Sequence, residues 1–434
     1  MTRPDAASRT PAGPPVPWAV AAAAGLAFFL AEHDLGASQR DEYYGVDTDA
    51  LEAAAGSGQW GNRVGFTLLA LAGGASLLGA DRRWRSRGAM PWLLIALAGW
   101  SVASLLWAAD PGRTVRRLAS FTFCLAGAVG IARRLDGRQL CWFVLALTTG
   151  FTTLGVLTEV GLGTFRLFGE GRFAGTLHPN GQGANCSFLC LAAVALLPTE
   201  HRHRRLLVVL LVGGAALLLA TKSRTALGAM LAGLVAAWLA RPSARAVATG
   251  LAAAWLAAAG AFAAHLAGVD LARAAGGAVN MGRIEDAGTL SGRTELWEVL
   301  DGYTGQRPWL GYGYGGFWTP ARIEAVSGDQ SWGISSAHSA YYEAALGVGR
   351  VGLGLLGLSL AAGLWRAAAD YRATADPGAG LLVSLLAAGV VQGFNESDLA
   401  MPTFPTFLLA CALSRVAFFA SDATDRHTPA GDIS

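Results

Sequence analysis

Apolar runs long enough to cross a bilayer recur along most of this 434-residue chain, and they fix the solvent in which it can fold. The hydrocarbon core takes about 20 residues of helix, with about 17 to 25 as the usual range. Candidate spans are 17–31, 64–80, 89–108, 118–132, 140–160, 181–198, 206–220, 226–240, 246–268, 340–364, 380–394 and 402–420. Backbone at that depth must satisfy its own N–H and C=O groups, and a continuous run does so as a helix. The pattern predicts an all-α polytopic membrane protein of about twelve transmembrane helices, with residues 1–434 forming one integral membrane domain. Hydrophobic residues are 53% and charged residues 15%, with a mean hydropathy of +0.40; a soluble domain would carry more charge.

The basic residues record a topology. With the N-terminus inside, the inner loops are 81–88 (Arg82, Arg83, Arg85, Arg87), 133–139 (Arg133, Arg134, Arg138), 201–205 (Arg202, Arg204, Arg205), 241–245 (Arg241, Arg245) and 366–379 (Arg366, Arg372). Each carries at least two arginines, as the positive-inside bias requires, and both termini fall on the cytoplasmic side. Residues 17–31 also fit a signal sequence behind Arg3 and Arg9, but no small-x-small cleavage site follows. Kept as a span, this run makes the parity work. The net charge of +3 is scattered, so nothing asks for nucleic acid. All five cysteines lie in apolar runs, which indicates neither a disulfide framework nor a thiolate metal site; Cys186 and Cys190 share a helix face as packing residues.

One long polar interruption, 269–338, is crowded with Arg, Trp, Tyr and Gly and predicts an outer loop with short helices. A site on this protein fits there most economically. The outer face also receives Arg113, Arg116, Arg117, Arg166, Arg172, Lys222, Arg224, Arg283, Arg293, Arg307 and Arg322. Long translocated loops escape the charge bias, which accounts for Arg307 and Arg322 as solvated surface. Arg224 sits in a turn of a few residues before the run at 226–240, with Thr221 and Ser223 as capping types. Free helix N–H groups beside a guanidinium make a forked anion site suited to a phosphate or diphosphate, while snorkelling of Lys222 and Arg224 is the structural alternative.

The arrangement recurs at Ser291-Gly292-Arg293-Thr294, where Ser291 or Thr294 can cap a helix whose apolar face is Leu296, Trp297, Leu300 and Val299. Arginine in a first turn opposes the helix dipole; a bound anion, or pairing with Glu295 or Glu298, removes the conflict. Gly311-Tyr312-Gly313-Tyr314-Gly315-Gly316-Phe317-Trp318 lacks the lysine of a Walker loop and reads as a tight turn, with rings at the interface able to stack on sugars. Pro179 and Asn180 read as a helix start, which gives His178 a structural role. His338 precedes the run at 340–364, where water meets lipid.

Ser223-Arg224-Thr225, Gly292-Arg293 with Trp297, Gly311-Tyr312-Gly313 and His338, in this order, resemble the O-antigen ligase and O-antigen polymerase superfamily. Trp107 to Arg117, Gly175 to Asn180 and Asn395-Glu396-Ser397 extend the likeness over most of the chain from about residue 90 onward. The resemblance implies a multi-pass glycosyltransferase of the bacterial inner membrane, with its active site and the 269–338 loop facing the periplasm. The donor would be a glycan on undecaprenyl diphosphate, and the acceptor a glycan, lipid A-core or a protein, with no metal and no cofactor. It implies Arg224 and Arg293 as diphosphate ligands and His338 as general base. Lys222, Arg116, Arg172, Tyr312, Tyr342 and Glu396 complete the expected substrate-binding set. Ser339 departs from the asparagine that many relatives carry after the histidine.

The chemistry is coherent in its own terms. Fixed arginines can stabilise a leaving diphosphate as Mg²⁺ does elsewhere, a histidine near its ordinary pKa of about 6.5 can accept the acceptor's proton, and attack opposite the diphosphate inverts the anomeric carbon. A metal-dependent lipid-phosphate sugar transferase would instead use the first-loop acids Glu32, Asp34, Asp41 and Glu42. A transporter or flippase calls for charges at mid-membrane and related halves, whereas charges within the spans are few and no repeat is visible. The topology is testable with single cysteines at Gly328 and Ser243. An impermeant reagent applied to intact cells should label only the first, and equal labelling would sink the twelve-span arrangement.

Overall fold

The computed structural model describes residues 18–35, 60–78, 84, 88–167, 171–241, 293–328 and 333–419. The expected span 246–268, the arginines 82, 83, 85, 87, 245 and 283, the acids Asp41 and Glu42, Ser243 and Ser291-Gly292 lie outside the described residues. The helices are α1 (Trp18–Glu32), α2 (Trp60–Leu78), α3 (Met90–Ala103, continued by a 3-10 turn to Trp107), α4 (Pro111–Arg134), α5 (Gly137–Gly161), α6 (Pro179–Leu196), α7 (Arg204–Ala220), α8 (Arg224–Ala240), α9 (Arg293–Gln306), α10 (Pro320–Gly328), α11 (Ala340–Thr374), α12 (Pro377–Asn395) and α13 (Phe404–Phe418). Every expected span except 246–268 coincides with one of them, and no strand occurs among the described residues.

Six helical stretches are long and apolar enough to cross a membrane, namely Met90–Trp107, Pro111–Arg134, Gly137–Gly161, His201–Ala220, Ala340–Thr374 and Pro377–Asn395. α1, α8 and α13 are shorter apolar helices. α6 belongs to neither group because Asn180, Gln182 and Asn185 in its first half make it too polar; Gln182, Asn185 and Ser187 are buried along with its apolar residues. A helix that meets little lipid can carry polar side chains, provided they find protein partners.

Local chemistry sets the boundaries. Asp110 accepts the Arg113 N–H at 2.9 Å with Pro111 at the first helical position, so α4 begins well before the expected 118. Arg113, Arg116 and Arg117 therefore ride on a helix and are not loop residues. Asp136 and Gln139 form a capping box at the start of α5, and Asp376 caps α12 through the Ala379 N–H.

Arg133 and Arg372 of the expected inner loops, and Arg415 of the last expected span, bind helix C-termini. Arg133 donates to Leu77 O at 2.7 Å, Arg372 to Ala240 O at 2.8 Å, and the buried Arg415 to Ala132 O and Leu135 O at 3.1 and 2.8 Å. A guanidinium there supplies donors for orphan carbonyls and complements the negative end of the helix dipole. Arg138 pairs with Glu200 at the same end of the bundle.

At the other end, a small second core forms from Leu296 and Leu300 of α9, Ile323 and Val326 of α10, Phe317, Trp318, Ile334 and Leu346. It is docked through a break in α11. Gly349 has a φ of 69°, which leaves Leu346 O to accept the Tyr312 N–H at 2.7 Å and Arg350 N–H to donate to Pro308 O at 2.8 Å. A Cβ at Gly349 would lie 2.1 Å from Trp309 O, so only glycine admits the loop.

α2 and α4 pack backbone to backbone. A Cβ at Gly130 would sit 2.2 Å from Gly73 O, and one at Gly73 would sit 2.3 Å from Ala126 O. Gly130→Val should cost about 1–3 kcal/mol by overpacking and lower the Tm of the purified protein. Gly213→Ala, with nothing within 4 Å, should leave Tm unchanged. Equal melting of both would show that this contact does not hold the pair.

Candidate functional site

The polar end is organised by one segment, 171–180. Buried Glu159 accepts the Ala174 and Gly175 N–H groups at 2.9 and 2.8 Å, and Phe173 N–H donates to Ala220 O at 2.9 Å. His178 caps α6, accepting from the Asn180 N–H at 3.3 Å with Pro179 at the first helical position, which is the helix start expected there. So anchored, Arg172 donates from Nε to Thr221 O at 2.8 Å and from Nη2 to Asn180 Oδ1 at 2.7 Å. Asn180 Nδ2 donates to Glu396 Oε1 at 2.8 Å, and the same oxygen accepts from Arg293 Nη2 at 3.4 Å. A continuous polar chain thus joins the turn before α8, the 171–180 segment, the end of α12 and the start of α9. Ser223 caps α8 through the Ala226 N–H, which places Lys222 and Arg224, both half-buried, at the first end of that chain.

His338 stands at the other end. Its φ of 48° is left-handed, rare for a residue with a Cβ, and its neighbours hold it there. Trp297 Nε1 donates to Ala337 O at 2.9 Å, Ala337 N–H to Glu343 Oε1 at 2.7 Å, and Ala340 N–H to Glu396 O at 2.9 Å. Trp318 Nε1 donates to both oxygens of Glu343 at 3.0 and 3.1 Å. Burial, the Arg293 guanidinium and His178 push the His338 pKa down to about 3, so the imidazole is neutral across the physiological range. Burial raises Glu396 above the usual carboxylate range, with Asp398 adding repulsion and Arg293 and Asn180 opposing it. Asp398 is likewise raised by burial, against the Gln392 Nε2 bond at 2.9 Å.

Of the expected set, Arg172, Arg293 and Glu396 join one hydrogen-bonded chain, with His338 close enough to Arg293 to feel its charge. Others lie elsewhere. Tyr312 is 4% exposed, with its hydroxyl on Tyr303 O and Gln306 and its ring under Arg322 and Arg307. The glycine turn folds its ring inward, into the small second core. Tyr342 stacks on Trp297 at 5.5 Å and donates to Asp301 at 2.9 Å. Arg116 is exposed on α4, whereas Arg113 and Arg117 face inward. Asn180, Glu159 and Glu343 went unnoticed as site residues. Asn180 read only as a helix start, and a carboxylate within an apolar run gives no sequence signal of which N–H groups it receives.

Among the first-loop acids, Glu32 accepts the Phe404 N–H at the start of α13 at 2.7 Å, and the Asp34 N–H donates to Thr176 O at 3.0 Å. No group of three or more His, Cys, Asp or Glu placed to hold a metal occurs among the described residues.

Fold and site together define a multi-pass helical membrane protein with a cationic, histidine-bearing polar site at one end of its bundle. The O-antigen ligase family model matches residues 206–357, about a third of the chain, and that stretch carries several of the motifs on which the sequence resemblance rests. The matched stretch contains Lys222, Arg224, Arg293, Tyr312, His338 and Tyr342, and it supports a membrane glycosyltransferase of the O-antigen ligase or polymerase type. No curated protein matches the chain.

A histidine with its pKa near 3 stays neutral as pH falls through the ordinary imidazole range. In ¹³C-histidine spectra, the resonance lost in His338→Gln should therefore not titrate between pH 8 and 5. A midpoint at about 6.5 would show His338 to be solvated.

Proposed function

We propose that the chain transfers a glycan from an undecaprenyl-diphosphate carrier to an acceptor hydroxyl at the periplasmic face, without a metal and with inversion. The observation that carries this reading is the polar chain from Thr221 through Arg172, Asn180 and Glu396 to Arg293, which ends beside a neutral His338. Arg224 and Arg293 are assigned to the diphosphate, a helix N-terminus and a guanidinium each contributing to anion binding. Glu396 aims Arg293, and Arg172 ties the Arg224 turn to the same frame.

In the transfer, the acceptor oxygen attacks the anomeric carbon while the bond from that carbon to the diphosphate oxygen breaks. The hydroxyl proton passes to His338, and the arginines stabilise the charge gathering on the departing diphosphate. A low pKa makes His338 a weak base that is always in its base form. Proton transfer is then favoured late, when the attacked hydroxyl has become acidic. The periplasmic orientation is supported by the arginine-rich inner loops, of which Arg133 and Arg372 bind helix C-termini at the opposite end of the bundle. A transporter is less well supported: Arg113, Glu159, Glu200, Glu343 and Arg415, the buried charges among the described residues, sit in the terminal turns of helices or in loops and not at mid-membrane.

Arg224→Ala and Arg293→Ala should each weaken binding of undecaprenyl diphosphate, with Arg→Lys rescuing only in part because the fork is lost. His338→Ala should bind donor normally and lose about 10²–10⁴ in transfer rate. Donor binding and transfer measured on the same purified variants decide this. A His338→Ala protein with near-normal transfer would end the general-base assignment.

A further inference from the structure

A second feature lies beside the polar chain. A cavity of about 290 Å³ runs between α3, α4, α11 and α13. On α4 its lining is Arg113, Arg117, Phe121, Leu125 and Val129, a step of four that follows one inclined ridge of the helix. From Arg113 to Val129 a helix rises about 24 Å, most of the hydrocarbon thickness of about 30 Å. The cavity is therefore a slot running along the helices, mostly apolar, with the hydroxyl residues Ser101, Thr406 and Ser414 in its wall and its charged residues, Arg113, Arg117 and Glu343, at the end where the polar site lies. Buried Arg113 is steadied there by its Nε bond to Gly315 O at 3.2 Å. Glu343 shares the mouth, but its oxygens receive Trp318 and Ala337. Ile95, 52% exposed, forms part of the wall, so the slot communicates sideways with the lipid.

We propose that this slot receives a hydrocarbon chain of the lipid-borne acceptor, with an acceptor phosphate at Arg113 and Arg117. The assignment to the acceptor rests on the transfer reading above. Shape and charge pattern carry the rest: a long, mostly apolar channel with two guanidinium groups at one end matches a lipid with a phosphate at its head and hydrocarbon along its length. The donor diphosphate belongs to a different pair, Arg224 and Arg293, on α8 and α9. The two sites meet along two short segments. Ser335, Glu343 and Ala400 line the slot, while Glu396 belongs to the polar chain and His338 stands beside its Arg293 end. The base thus stands between the two lipids, where an acceptor hydroxyl must meet a donor anomeric carbon.

The probe is a phosphatidic acid with a diazirine in its acyl chain, photolysed with the purified protein. Wild type should be labelled on α3, α4 and α13, and Ala98→Phe or Ala410→Phe, which fill the slot, should each remove most of that labelling. Ala98 is half-buried, so its variant should fold even if Ala410→Phe does not. Arg113→Gln with Arg117→Gln should raise the acceptor KM by about tenfold or more, the loss expected for a charge-assisted contact. Undecaprenyl diphosphate binding should stay near wild type in every variant. Competition by lipid A or by an undecaprenyl-linked glycan tells which lipid carries the acceptor. Labelling unchanged by slot filling would overturn the slot, and donor binding lost with it would show that the slot holds the donor's chain. A wild-type protein that transfers nothing would end the acceptor assignment together with the transfer reading, while the labelling would still decide whether a phosphate-headed lipid occupies the slot.

Discussion

Glu396 Oε1 receives hydrogen bonds from two residues 216 and 103 positions away, Asn180 and Arg293. A carboxylate taken out of water is costly unless its lone pairs are met, so this one holds its partners firmly. The consequence reaches both ways along the chain. Through Asn180 and Arg172 it fixes the turn that begins α8, and through Arg293 it fixes the start of α9 and the electrostatic surroundings of His338. The Glu396 backbone carbonyl also takes the Ala340 N–H, which seats the first turn of α11 two residues after the histidine.

The rest of the polar end depends on a second backbone device. Because Gly349 leaves the helical region, α11 has backbone groups free for the 308–312 loop, and the small core over the bundle docks by hydrogen bonds as well as by packing. Glu343, one turn into α11, then receives Trp318 from that small core and Ala337 from the His338 segment. The left-handed conformation of His338 is sustained from several sides at once, as persistence of such a conformation requires.

The two ends of the bundle use arginine for opposite purposes. At one end the guanidinium groups meet helix C-terminal carbonyls, so their charge is complemented within the fold. At the other, Arg224 and Arg293 open helices, where the dipole disfavours a cation and favours an anionic guest.

The sequence by itself determined the helices and their rough limits, because a bilayer admits little else for apolar runs and because Ser223 reads as a helix cap; the caps at Asp110, Asp136 and Asp376, which start their helices before the apolar runs, came from the structure. It also pointed to Arg172, Arg293, Glu396 and His338 through short motifs in a fixed order. Only the tertiary structure decided how these remote residues meet. Capping and periodicity act within a few residues, whereas the Asn180 to Glu396 bond joins segments whose separation no local rule can bridge. The inward turn of Tyr312, the inward choice of Arg113 and Arg117 over Arg116, and the depression of the His338 pKa are likewise matters of burial. Burial is set by what packs opposite, and that is known only once the helices have assembled.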